Sequence, residues 1–313
     1  MKPYAFPVLE KDKIRVIITT DAKNEADDQF AIAYALMSPK LEVCGIIAAH
    51  FCKACSMPTS AHYSQNPADA DLTMDKSYDE ILRVLSKMGL EGKYPVLHGA
   101  KRGLTNAQTP QDSEGARFII EEAHRPGKPL YVINLGAITD LASAYLIDPT
   151  IADGIAGAFW LGGGAFPEGG PEFNLENDIA AGNVLMDSRL QVSLLPLNAT
   201  APMKMAYSEL FYRVRPYGEI GRYLCDQMLE HASQCTWNHG ESWILWDIAA
   251  VALLLDQHPN QFVVRNAPRF APDMRYIEVD RPHPIRVYER IEPRFAFEDF
   301  YCKLALHFDR NPN

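Results

Sequence analysis

Asp21, Glu25, Asp27 and Asp28 fall within eight residues of one another, between an apolar run and an amphipathic one. Carboxylates this close repel unless a cation or a proton offsets their charge. An all-oxygen set suits a hard cation such as Ca²⁺ or Mg²⁺. Capping of the helix that follows accounts for Asp27 or Asp28, since Asp is favoured at helix starts, but it leaves Asp21 unexplained. A second acid, Asp247, interrupts the otherwise apolar stretch from Trp243 to Leu255. A carboxylate in so apolar a setting must be capped, paired or metal-bound. The third feature is the glycine-rich run from Gly162 to Asn174. It lacks the Gly-Lys-Ser/Thr ending of a phosphate loop. Glu172 and Asn174 within it are of the types that grip sugar hydroxyls, and Asp178 is placed to cap the next helix.

These residues need elements to hold them. Ile14–Ile18 is rich in β-branched residues and reads as a buried strand, and Gln29–Met37 reads as a helix stopped by Ser38 and Pro39. The acids therefore sit at the C-terminal end of a strand, where open α/β sheets bind ligands. Further strands are expected at Leu41–Ala48, Pro95–Leu97, Pro129–Asn134, Ile155–Leu161 and Gln191–Leu195. Helices are expected at Tyr78–Met88, Ser113–Ala123 with Ser113 as cap, and Ala137–Leu146. Near the C-terminus, Tyr276–Val279 and Ile285–Tyr288 are strand-like, and Glu298–Leu306 is a closing helix. The alternation predicts an α/β fold, a single domain over 1–313 with a mostly parallel central sheet flanked by helices, a Rossmann-type open sheet. The polar stretch Phe51–Asp75 reads as a lid or binding loop.

Composition narrows the partners. A net charge of −10 without a compensating basic stretch argues against nucleic acid. No apolar run reaches membrane-spanning or signal-peptide length, so no membrane partner and a cytoplasmic location are expected. Six scattered cysteines fit reduced thiols. Cys52 and Cys55 form a lone C-x-x-C with no second ligand pair for zinc.

Taken together, the motifs resemble the inosine-uridine nucleoside hydrolase family over most of the chain. That family's D-x-D-P-G-x-D-D opening is matched by Thr19 through Asp28, and its T-G-x-L-T-N-L-A segment by Leu135 through Ala142, followed by Asp148 and Pro149. Its E-F-N is Glu172 to Asn174, and its late H-D is Trp246 and Asp247. The resemblance implies a nucleoside hydrolase-like fold and a Ca²⁺ held by Asp21, Asp28, Asp247 and the carbonyl of Leu135. It implies Asp21 as general base on a metal-activated water that cleaves an N-glycosidic bond. Asp27, Glu172, Asn174 and Asp247 would contact the sugar, with Trp246 and His239 near the base. The substrate would be a small nucleoside or ribosyl compound, and the assembly a homodimer or homotetramer.

The departures concern the leaving group. Two extra residues separate Asp21 from Asp27, the Pro-Gly turn is absent, and the His before the last Asp is Trp246. That His helps protonate the departing base in members that have it. Replacement acids could be His239, Glu241, His50 or His98, although a lone histidine is more often structural. Trp243 and Trp246 read first as core packing, and secondly as stacking surfaces for a base. Two rivals are a non-catalytic, Ca²⁺-dependent sugar- or nucleoside-binding relative and a haloacid dehalogenase-type phosphatase. The latter needs an Asp where Lys23 stands.

Overall fold

The β-branched run at the N-terminal end forms β1 (Ile14–Thr20), whose last five residues are buried, as a strand covered on both faces requires. The computed structural model describes residues 1–51, 72–235, 238–256 and 260–311. In chain order the remaining strands are β2 (Leu41–Ala48), β3 (Val96–His98), β4 (Leu130–Asn134), β5 (Ile155–Leu161), β6 (Val192–Leu195), β7 (Lys204–Ala206), β8 (Ser242–Ile244), β9 (Gln261–Asn266), β10 (Arg269–Phe270), β11 (Tyr276–Ile277) and β12 (Pro284–Arg290). The main sheet has eight strands in the order β3-β2-β1-β4-β5-β6-β12-β9. Every neighbouring pair is parallel except β12 and β9, which run antiparallel at the edge. The mostly parallel α/β sheet expected from the sequence is the sheet observed.

Strand order reverses between β1 and β4. Chain from β1 crosses outward to β2, whereas β4 leads to β5 on the other side. At such a switch point the loops leave in opposite directions and open a crevice at the carboxyl ends of the strands. Asp21 directly follows β1 and Leu135 directly follows β4, so both stand at this crevice.

The longer helices are α1 (Asp28–Leu36), α2 (Thr73–Lys87), α3 (Glu114–His124), α4 (Thr139–Ile147), α5 (Phe173–Asn177), α6 (Ile179–Asp187), α7 (Gly218–Gln234), α8 (Ile248–Leu255) and α9 (Pro293–His307). They cover both faces and make two cores. One gathers Phe30, Tyr34, Trp243, Leu253 and Phe300. The other gathers Ile17, Val132, Trp160, Leu185 and Val287. Among the described residues, no helix is long and apolar enough to cross a membrane.

Several expectations need correction. Within the apolar stretch from Trp243 to Leu255, the helix begins at Ile248 with Asp247 at its N-cap, while Trp243 belongs to β8, which pairs antiparallel with β7. α2 starts at Thr73, inside the stretch read as a loop to Asp75. Most of that stretch, 52–71, lies outside the described residues, and Cys52 and Cys55 lie there with it. Tyr276–Ile277 pairs with β10 in a separate two-stranded ribbon rather than with the main sheet. The edge strand β9 and the long α7 carried no signal that was read from sequence.

Candidate active site

A single cavity of about 60 Å³ at the switch point is lined by Asp21, Asp27, Asp28, Leu135, Glu172, Asn174, Trp246 and Asp247, with Asn24, Glu25, Leu161, Phe173 and Leu197. Every site residue expected from sequence is therefore in one place except His239. That residue is exposed and outside the lining.

Asp21 is fixed by a tight turn at the end of β1. The Asn24 N–H donates to the Asp21 carbonyl at 2.7 Å, and the Asn24 amide donates to Asp21 Oδ2 at 3.1 Å. Its carboxyl lies against Gly136 so closely that a Cβ there would stand 2.8 Å from Asp21 Cγ and Oδ1. That distance is shorter than real carbon contacts, so the glycine is what admits the acid to the crevice.

Asp27 and Asp247 both occupy helix N-cap positions, yet neither side chain makes a capping hydrogen bond. Capping therefore does not explain these carboxylates. Instead the Asp247 backbone N–H donates to Asp27 Oδ2 at 3.2 Å, tying the start of α8 to the start of α1. Asp28 accepts from the Thr20 hydroxyl at the end of β1. One carboxylate oxygen from each of Asp27, Asp28 and Asp247 lies within 4.8 Å of the others. The resemblance placed Asp21 with Asp28 and Asp247; the tightest group has Asp27 in its place.

The electrostatics follow from burial. Asp21, Asp27, Asp28 and Asp247 are each at most 3 % exposed. Burial first, then mutual repulsion, holds Asp21, Asp27 and Asp247 well above the usual carboxylate range. Burial likewise pushes Asp28 up to about 6, while hydrogen bonds from Thr20 and Asp247 restrain the rise. Among the described residues, no Lys, Arg or His forms an ion pair with any of the four. A set of buried oxygens without a basic partner has the chemistry of a hard-cation site.

Across the cavity, Glu172 caps α5. Its oxygens accept backbone N–H groups from Asn174 at 3.0 Å, Leu175 at 2.9 Å and Gly163 at 2.8 Å. Burial raises its pKa and these bonds oppose the rise. Asn174 donates to the carbonyls of Leu135 at 2.8 Å and Leu161 at 3.0 Å, cross-linking the ends of β4 and β5. That leaves the Asn174 Oδ1 as the atom it can offer a ligand. Asp178 caps α6 through Ala181, and Ser113 caps α3 through Ala116, both as expected.

The proposed replacement acids are dispersed. His50 is buried, its Nε2 2.9 Å from the Thr139 hydroxyl, and His98 stacks on Tyr78. Glu241 is exposed, and none of these three lines the cavity. Trp243 is wholly buried, as the core reading had it, whereas Trp246 does line the cavity. The acid to which sequence reasoning gave no role of its own is Glu25. Its Oε1 accepts the Trp243 indole N–H at 2.9 Å, and Trp246 lines the same cavity. Burial pushes it up to about 7, the two indoles restraining the rise. Its presence as a fourth acid in the loop was the available signal.

Comparison with known proteins identifies the family. Residues 68–292 match the model of the family described as inosine-uridine preferring nucleoside hydrolase. The chain is 25 % identical over 227 residues to a probable uridine nucleosidase 2 of Arabidopsis thaliana, covering 68 % of each chain. It is 24 % identical over 208 residues to uridine nucleosidase 1 of the same plant, covering 63 % of this chain and 60 % of that one. The fold is similar to a purine-preferring ribonucleoside hydrolase from Gardnerella vaginalis, with TM-score 0.75, 20 % identity and coverage of 94 % and 98 %. It is also similar to an inosine-uridine preferring nucleoside hydrolase from Bacillus anthracis, with TM-score 0.66, 17 % identity and coverage of 94 % and 99 %. With an acid-lined crevice at the switch point and a family match spanning most of the described sheet, this chain is an N-glycosyl hydrolase belonging to the inosine-uridine preferring nucleoside hydrolase family.

Proposed function

We propose that the chain hydrolyses the N-glycosidic bond of a ribonucleoside or related ribosyl compound with the help of a bound Ca²⁺. The observation that carries this reading is the convergence of Asp28 and Asp247, from opposite ends of the chain, beside Asp21 in one buried cavity. The donor set fits a hard divalent cation: Asp21, Asp28, Asp247 and the Leu135 carbonyl would hold it, with Asp27 within reach. Such an ion, when bound, supplies a water of lowered pKa.

The chain's own groups do the rest. Asp21 takes a proton from the attacking water, a role suited to a carboxylate braced by Asn24 and packed on Gly136. Asp27, Glu172 and Asn174 orient the sugar hydroxyls. As the C–N bond loosens, positive charge grows on the ribosyl ring, and the carboxylates around it favour that charge. Trp246 lies where the base would sit against the lining.

A panel of ribonucleosides scored for released reducing sugar, with Ca²⁺ and after chelation, tests this. Release that depends on Ca²⁺ is the expected result. Release unaffected by thorough chelation would remove the metal from the reading, and no release from any ribosyl compound would remove the activity.

A further inference from the structure

Glu80, on α2, is only 1 % exposed and stands outside the lining of the acid cavity. A carboxylate so buried needs hydrogen bonds and opposite charge around it. Glu80 has both. Its Oε1 accepts from the Gln29 amide at 3.3 Å and from the Tyr223 hydroxyl. Its Oε2 accepts from the Arg83 guanidinium at 3.2 Å and stands 3.9 Å from the Lys23 ammonium.

Two of these partners, Lys23 and Gln29, belong to the segment that carries the acids. The Gln29 amide nitrogen donates to the Ala22 carbonyl as well, so one group joins Glu80 to the turn that directly follows Asp21. One helical turn along α7 from Tyr223, Gln227 donates to the Ala26 carbonyl at 2.9 Å. Residues 22–29 are thus gripped at Ala22, Lys23, Ala26 and Gln29 from α2 and α7. Such a grip supplies a shape that the loop's own backbone does not. The loop is two residues longer than the family's and lacks its proline. A proline fixes φ, and a longer loop has more conformations to lose. Asp21 and Asp28 flank or fall within the gripped residues, so their separation depends on this grip.

We propose that Glu80 is a positioning residue of the active site: through Gln29, Lys23 and Tyr223 it sets where Asp21 and Asp28 stand, without touching substrate. What the acids are positioned to do rests on the ribosyl hydrolysis proposed above; the grip itself does not. Glu80→Gln is the informative variant because it keeps the shape of the side chain. Its carboxamide offers one oxygen and one NH₂, so the NH₂ must face one of the two sets of donors.

Two readouts test this. In hydrogen–deuterium exchange of the metal-free variant, amides of 21–29 should exchange about tenfold faster than in wild type, while β4 and β5 stay unchanged. In sugar release from uridine and inosine with saturating Ca²⁺, well below the melting temperature, kcat should fall about tenfold with KM within about twofold. Glu122→Gln is the control. Glu122 is equally buried and is paired with Arg125 and with Arg15, at the opposite end of β1 from Asp21. It should lower Tm with neither effect. Exchange over 21–29 that is unchanged, or that rises equally in β4 and β5, overturns the inference. So does a fall in kcat that Glu122→Gln reproduces. Release from neither nucleoside by the wild type counts against the hydrolysis proposed above, and the exchange measurement then decides the inference alone. Should Glu80→Gln fold poorly, Tyr223→Phe deletes a single link and should give the same local pattern at about threefold. No local change in that variant overturns the inference equally.

Discussion

The backbone N–H of Asp247 donates to the Asp27 carboxylate at 3.2 Å although 220 positions separate them in sequence. This bond joins the first turns of α8 and α1, and it brings Asp247 beside Asp28. Much of the chemistry expected of the protein depends on that closure.

Removal of the proposed base is the first check. Asp21→Asn should lower turnover by about 10²- to 10⁴-fold, the usual weight of a positioned general base. Circular dichroism should show an unchanged fold, because the substitution preserves shape and relieves repulsion among buried acids. Sugar release at the wild-type rate would exclude Asp21 from proton transfer.

Metal and pH should act on stability together. In the metal-free chain Asp28 stands at about 6 and Glu25 at about 7, above their ordinary carboxylate values. A raised folded pKa means that ionisation opposes folding. The stabilising contribution of the protonated forms is complete below about pH 4 and disappears as pH climbs through those folded values. In chelator, Tm should therefore fall between about pH 5 and pH 8 on account of these groups, and saturating Ca²⁺ should flatten that fall. A melting series with no Ca²⁺-dependent shift at the higher pH would count against the metal site.

Gly136→Ala tests the close approach that seats the base. The added carbon would lie 2.8 Å from the Asp21 carboxyl, so either the acid or the β4 end must move. Overpacking of this kind costs about 1–3 kcal/mol. Activity should fall by more than stability explains, on the order of 10²-fold, because misplacing a catalytic group by about 1 Å has that effect. Full activity with a normal melting temperature would show that the crevice tolerates the shift.

Asn174→Ala should both weaken the fold and raise KM. It strips donors from the Leu135 and Leu161 carbonyls, and an unpaired buried polar group costs about 1–3 kcal/mol. A melting temperature lowered with KM unchanged would restrict Asn174 to bracing β4 and β5.

Much of this was legible in the chain itself. Apolar runs such as Ile14–Ile18 and Ile155–Leu161 announce buried strands because only doubly covered strands are apolar on both faces. The acids after β1 announce a site because unpaired carboxylates in an apolar frame need a partner. Local pattern did not reach β9, exposed along most of its length, since an edge strand buries little and shows no apolar run. Nor did it show that Trp243, though rightly read as core, belongs to a strand paired with β7.

The sequence by itself determined the fold class, the acids at the tip of β1 and the grouping of Glu172 with Asn174, because each follows from local periodicity or residue chemistry. Only the tertiary structure decided which acids meet and what holds them. Glu25 became a cavity residue through Trp243, 218 positions away. Gly136 became indispensable because Asp21 packs against it from a neighbouring strand. Contacts across hundreds of residues are set by how helices dock on the sheet, and no short window of sequence records that docking.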